Sequence, residues 1–123
     1  MWIEIIKFLV SLIDKRSHIT IEKKEKLSKA LERMAELIDF TIEDLEHDIY
    51  PSGKCIAMEQ LSNDILLIVK DYMPKEDVDD LSRQLFIASR LELEFATRKN
   101  KSTITELQKA SGKLHAFSII YSV

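Results

Sequence analysis

Residues 20–48 read TIEKKEKLSKALERMAELIDFTIEDLEHD, a stretch of 29 residues without a glycine or a proline. Its apolar residues recur at spacings of three and four, which is the period of an α-helix with one buried face. The stripe consists of Leu27, Leu31, Met34, Ile38, Ile42, Leu45 and Ile49. A helix of this length would extend for about 43 Å. The stretch therefore predicts one long amphipathic helix with neighbours along its whole length.

The rest of the chain is equally poor in residues that break helices. It has two glycines and two prolines in 123 residues, and these are the strongest signals for turns. Pro51 and Gly53 end the long helix, and Pro74 is expected at the first position of a later one. Thr103 and Glu106 form a capping box after a polar loop at 99–102. The sequence therefore predicts five helices, at residues 2–15, 20–48, 52–72, 74–98 and 103–122.

These helices predict an all-α fold. Each of the last three carries its own apolar stripe: Cys55, Met58, Leu61, Ile65, Ile68 and Tyr72; Val78, Leu81, Leu85, Ala88, Leu91 and Phe95; Leu107, Ala110, Leu114, Phe117 and Tyr121. Short connections favour antiparallel neighbours. We expect a single helical-bundle domain over residues 1–123, in which 20–122 form an antiparallel up-down-up-down four-helix bundle and 1–15 form an additional N-terminal amphipathic helix.

The first and third helices carry more apolar surface than one four-helix core obviously needs. Residues 2–13 are interrupted only by a narrow polar stripe, and residues 65–69 (ILLIV) are apolar on every side. Helix one is expected to pack along the bundle or across a subunit interface, because so wide an apolar arc must be covered. The predicted partner is a second copy in a symmetric dimer or another helical protein. The residues predicted to contact it are Trp2, Ile6, Leu9 and Ile13.

Charge is distributed unevenly along the second helix. Residues 15–33 contain seven basic and three acidic side chains, whereas residues 36–48 contain six acidic ones and no Lys or Arg. This order opposes the helix macrodipole. One interpretation is complementarity with the charged ends of neighbouring helices. The alternative is a peripheral membrane protein that inserts helix one shallowly and meets anionic headgroups through Lys23, Lys24, Lys26 and Lys29.

Composition argues against several classes of protein. The net charge of −3 and the pI of about 5.6 provide no basic field for nucleic acid. The single cysteine, Cys55, cannot form an internal disulfide. Residues 2–13 are too short to span a bilayer and lack the pattern of a signal peptide. The expected location is the cytoplasm.

Candidates for chemistry are few. Asp44 and His47 match one half of a di-iron motif, and His115 lacks the acidic residue that a second half requires. Cys55 begins the third helix close in sequence to His47, but its place on an apolar stripe favours an inert core cysteine over a nucleophile. The chain contains no glycine-rich phosphate loop. We therefore expect no enzymatic activity, no metal and no cofactor.

The segment Tyr50-Pro51-Ser52-Gly53-Lys54-Cys55 lies between a long acidic helix and an apolar one. It resembles a turn in the small all-helical effector-associated adaptor domains that accompany bacterial signalling and defence proteins, including caspase-like and NTPase effectors. The resemblance implies a role in recruiting partners rather than in catalysis. The expected function is a protein-interaction or oligomerisation module.

Overall fold

The computed structural model describes residues 2–47, 52–97 and 101–122. Within these ranges the chain forms α-helices and one turn of 3-10 helix, Arg16–His18, and no strand. The α-helices are α1 (Trp2–Ile13), α2 (Ile21–Glu46), α3 (Ser52–Val69), α4 (Lys75–Thr97) and α5 (Lys101–Tyr121). The prediction of an all-α fold is confirmed for this part of the chain. The turn predicted at Tyr50 and Pro51 lies outside it.

The cap and the buried face of helix α2 agree closely with its sequence pattern. Thr20 caps the helix, because its side-chain oxygen accepts a hydrogen bond from the backbone N–H of Lys23 at 3.3 Å. The predicted apolar stripe is buried at all six of its described positions, Leu27, Leu31, Met34, Ile38, Ile42 and Leu45. Ile49 lies outside the described residues.

Two helix starts differ from the prediction. Helix α4 begins at Lys75, and the carbonyl of Pro74 accepts the N–H of Val78 at 3.1 Å. Pro74 therefore occupies the capping position rather than the first helical one. Helix α5 begins at Lys101, so the capping box predicted at Thr103 is wrong. Residues 101–103 contain no helix breaker, and the helix starts two residues before the motif.

Helix α3 ends earlier than its apolar stripe. It stops at Val69, and residues 70–72 form a turn in which the N–H of Tyr72 bonds to the carbonyl of Val69 at 2.9 Å. The residue before a proline is disfavoured in helical conformation. The chain therefore leaves the helix before Pro74 although its side chains keep a helical spacing.

All five helices contribute to one hydrophobic core. Helix α2 has its most extensive contact with α5, α3 packs on α2 and α4, and α1 packs on α4 and α5. The buried side of α1 consists of Trp2, Ile5, Leu9 and Leu12. The buried hydroxyl of Tyr121 donates to the carbonyl of Leu9 at 2.8 Å. Helix α1 is thus part of the core of its own chain.

Hydrogen bonds show that α2 and α5 run in opposite directions. Near the start of α2, Ser28 Oγ donates to the carbonyl of Ser118 at 2.5 Å. Further along α2, the Asp39 carboxylate accepts from Ser111 Oγ, also at 2.5 Å. The other side of α2 faces α3.

Candidate binding groove

A continuous groove runs between α2 and α3. It consists of two adjoining hollows of about 450 and 410 Å³. The first is lined by Lys23, Lys26, Lys29, Ala30, Arg33, Leu61, Asp64, Leu67 and Ile68. The second is lined by Arg33, Glu36, Leu37, Phe40, Ala57, Gln60, Leu61 and Asp64. Arg33, Leu61 and Asp64 belong to both hollows, and we call the whole the α2–α3 groove.

The groove has an apolar floor and a charged wall. Ala30 and Ile68 are buried at its base, Leu61 is half-buried, and Leu67 is 61% exposed. In the first hollow the wall on α2 is formed by cations at spacings of three, three and four, which places them along one face of the helix. Asp64 lines both hollows and Glu36 lines the second, so the basic character belongs to the first hollow. A groove that combines these two features can accommodate a ligand with an apolar side and acidic flanks.

Lys23 is held at one end of the groove. Its Nζ lies 3.0 Å from Asp71 Oδ2 and 5.3 Å from the ring centroid of Tyr72. The hydrogen bond to Asp71 raises the pKa of Lys23 and lowers the pKa of Asp71. Both side chains are substantially exposed, so this pair contributes little to stability.

The predicted lysine cluster is divided by the fold. Lys23, Lys26 and Lys29 line the groove together with Arg33, whereas Lys24 does not line it. Lys26 lies 3.3 Å from Glu22 on the exposed side of α2. Arg33 was not among the predicted site residues, although its spacing of four from Lys29 continues the row.

The predicted partner residues of helix one lie in or beside the core. Trp2 and Leu9 are buried within their own chain, and Ile6 and Ile13 are half-buried. The exposed apolar side chains of α1 are instead Ile3 and Val10. A partner of the folded chain would meet a different edge of α1 from the one that the sequence indicated.

A smaller hollow lies between α1 and α5. It has a volume of about 310 Å³ and is lined by Trp2, Ile3, Ile6, Glu106, Lys109, Ala110 and Lys113. The buried indole Nε1 of Trp2 has no hydrogen-bond partner among the described residues. Its charged lining consists of Glu106, Lys109 and Lys113, so it holds fewer cations than the first hollow of the α2–α3 groove.

A polar cluster that the sequence did not reveal joins α2 to α5. Asp39 Oδ1 accepts from Ser111 Oγ at 2.5 Å, and His115 Nε2 lies 3.4 Å from Asp39 Oδ2. A nucleophilic serine would need its hydroxyl hydrogen-bonded to the imidazole. Here the Ser111 hydroxyl and the His115 ring both contact the Asp39 carboxylate instead. The cluster fastens two helices and offers no catalytic arrangement. Ser111 and His115 lie one turn apart, but nothing in the sequence pairs them with Asp39.

The remaining candidates for chemistry gain no support from the geometry. Within the described ranges, no three His, Cys, Asp or Glu side chains come together in a way that could hold a metal ion. His47 Nδ1 lies 2.8 Å from the carbonyl of Glu43. The side chain of Cys55 lies outside the described residues. None of the helices in the described residues has both the length and the hydropathy needed to cross a membrane.

Comparison with models of known protein families, with curated proteins and with solved structures finds no match to this chain.

Proposed function

We propose that this protein is a non-enzymatic interaction module that binds a helical partner in the α2–α3 groove. The observation that carries the proposal is the combination of an apolar floor, formed by Leu61, Leu67 and Ile68, with a row of cations along one wall. Amphipathic helices bind in grooves by inserting apolar side chains at helical spacing. The cations favour a partner whose flanks are acidic, since complementary charge directs both encounter and register.

The proposed architecture supports this role. We infer that α2 to α5 run up, down, up and down, with α1 packed on both α4 and α5. In this arrangement α2 is backed by α5 on one side and open toward solvent along the groove. A groove formed by two packed helices is largely preformed, so a partner does not have to order it on binding. Recruitment of a partner also agrees with the adaptor domains that the segment 50–55 resembles.

Binding of designed peptides tests the proposal. Two synthetic amphipathic helices of equal length carry the same leucine stripe, one with glutamates and one with lysines on the polar side. Fluorescence anisotropy is measured at a protein concentration low enough to keep the chain monomeric. The acidic peptide is expected to bind and the basic peptide is not.

A matched pair of variants locates the binding site. Leu67→Glu places an anion in the groove, and Ile119→Glu makes a comparable change on α5, where the original side chain is 67% exposed. Leu67→Glu should abolish binding of the acidic peptide and Ile119→Glu should leave it intact. Equal loss in both variants would reject the groove as the site. Binding to anionic vesicles in place of the acidic peptide would support the membrane alternative instead.

A further inference from the structure

Part of the outward face of α2 is complementary to itself in charge. Four pairs of residues equally distant from the midpoint between Met34 and Ala35 combine a basic side chain with an acidic or aromatic one, whereas Glu25 and Asp44 form an acidic pair. The four pairs are Arg33 with Glu36, Lys29 with Phe40, Lys26 with Glu43, and Lys23 with Glu46. An antiparallel copy of the helix would bring the two members of each pair to the same height.

The central three pairs lie on the side of α2 that points away from the core. Lys26, Lys29, Arg33, Glu36, Phe40 and Glu43 are all exposed. Helical spacing of three and four places them within one broad face. The opposite side of α2 is filled by its buried stripe, and one flank is covered by α5 through Ser28, Ala35 and Asp39. The free face therefore has the position needed for contact with another molecule.

We propose that the partner bound by this face is a second copy of the chain, related by a two-fold axis that passes between Met34 and Ala35. In this dimer the two α2 helices lie antiparallel. The Phe40 of each copy, 53% exposed in the single chain, enters the hollow of the other copy beside Lys29 and Leu67. The inference rests on the proposed function, because it assigns the occupant of the same groove.

The charge order selects this arrangement over others. A parallel pair would place Lys26 against Lys26 and Glu43 against Glu43, and like charges in contact are unfavourable. A two-fold axis makes each contact occur twice, so the central Arg33–Glu36 pair would contribute two ion pairs near the middle of the interface. The same order explains why the basic and acidic halves of α2 oppose the helix macrodipole: the pattern serves the contact between chains.

Charge reversal at the centre tests the inference by sedimentation equilibrium over a range of concentrations. The wild type is expected to dimerise. Arg33→Glu places a glutamate opposite Glu36 twice and should weaken the dimer by about tenfold or more. The double variant R33E/E36R should restore it, because the attractive pairs return with their signs exchanged. Arg83→Glu, the same substitution on α4, should leave the dimer unchanged.

An aromatic pair provides a second test that does not alter charge. Phe40→Ala should weaken the dimer by about tenfold, as expected when an interface anchor is truncated. Phe86→Ala, at a position on α4 with a similar exposed fraction of 55%, should have no effect on association. Circular dichroism confirms that each variant is folded before its association is compared with that of the wild type.

Four results would overturn the inference. The first is a wild type that stays monomeric at concentrations approaching a millimolar. The second and third are a dimer insensitive to both Arg33→Glu and Phe40→Ala, and a dimer lost with Phe86→Ala. The fourth is an R33E/E36R double variant that does not regain the dimer. If the chain is monomeric and still binds the acidic peptide, the second copy is excluded and the proposed function stands. If it is monomeric and binds neither peptide, both fail together.

Discussion

Helix α2 meets its two neighbours in contrasting ways. Toward α5 it presents Ser28 and Ala35, which face Ser118 and Ser111, and these contacts include buried hydrogen bonds. Toward α3 it presents long cations beside leucines, and a groove remains. The distance between packed helices depends on the size of the side chains at the contact. One side of α2 is therefore closed and stabilises the fold, while the other is open and available for binding.

The closed side of α2, which packs on α5, should tolerate a larger side chain least. Ala35 is fully buried, so Ala35→Leu should lower the free energy of unfolding by about 1–3 kcal/mol through overpacking. Urea denaturation of dilute protein measures the change. Leu67→Ala on the open side should alter stability by no more than about 0.5 kcal/mol. If Leu67→Ala lowered the free energy of unfolding as much as Ala35→Leu, the two sides of α2 would not differ in packing.

The polar cluster of Asp39, Ser111 and His115 on the closed side should contribute less to the free energy of unfolding. Asp39→Ala removes the acceptor of the Ser111 hydroxyl and the neighbour of His115. Because the carboxylate is partly exposed, the expected loss is about 1 kcal/mol. Glu32→Ala, on an exposed part of the same helix, provides the control in the same denaturation experiment. An equal effect in the two variants would mean that Asp39 does not fasten α5.

Gly112 lies on the exposed side of α5, outside the contact with α2. It lies inside α5 beside Ser111, and beyond its own stretch of helix an added Cβ would meet no atom within 4 Å. Gly112→Ala should therefore raise the free energy of unfolding by about 0.5–1 kcal/mol, since glycine is unfavourable within a helix. Thermal denaturation would show an increase in Tm. A decrease would indicate that the close packing of α5 extends to this position.

The smallest effect on stability is expected at the end of the open side, where Lys23 forms an ion pair with Asp71. The lowered pKa of Asp71 means that the pair contributes at neutral pH and that this contribution is lost as the pH falls through the pKa of the folded state. Lys23→Gln should raise the pKa of Asp71 toward its ordinary value. Carboxyl titration by NMR measures this directly. An unchanged pKa in the variant would show that Lys23 does not hold the carboxylate.

The sequence predicted the helices better than the surfaces between them. The stripe of α2 was predictable because burial of one helix face requires apolar residues at spacings of three and four. The apolar arc of α1 is so wide that periodicity does not say which residues face inward. The sequence therefore points Trp2 and Leu9 toward a partner, although both are buried within their own chain. The groove depends on how α2 and α3 align, and the cluster of Asp39 with Ser111 depends on α2 and α5. Neither alignment is encoded within a single helix.

If the open side of α2 is the interaction surface of this protein, its amides should respond to protein concentration. Amide spectra of the isotope-labelled wild type, recorded by NMR from dilute to concentrated solution, test it residue by residue. We expect concentration-dependent shifts along residues 26–43 and at Leu61 and Leu67, with Phe86 and Ile119 unchanged. Shifts confined to Ile3 and Val10 or to α4, or no shifts at the highest concentration, would contradict it.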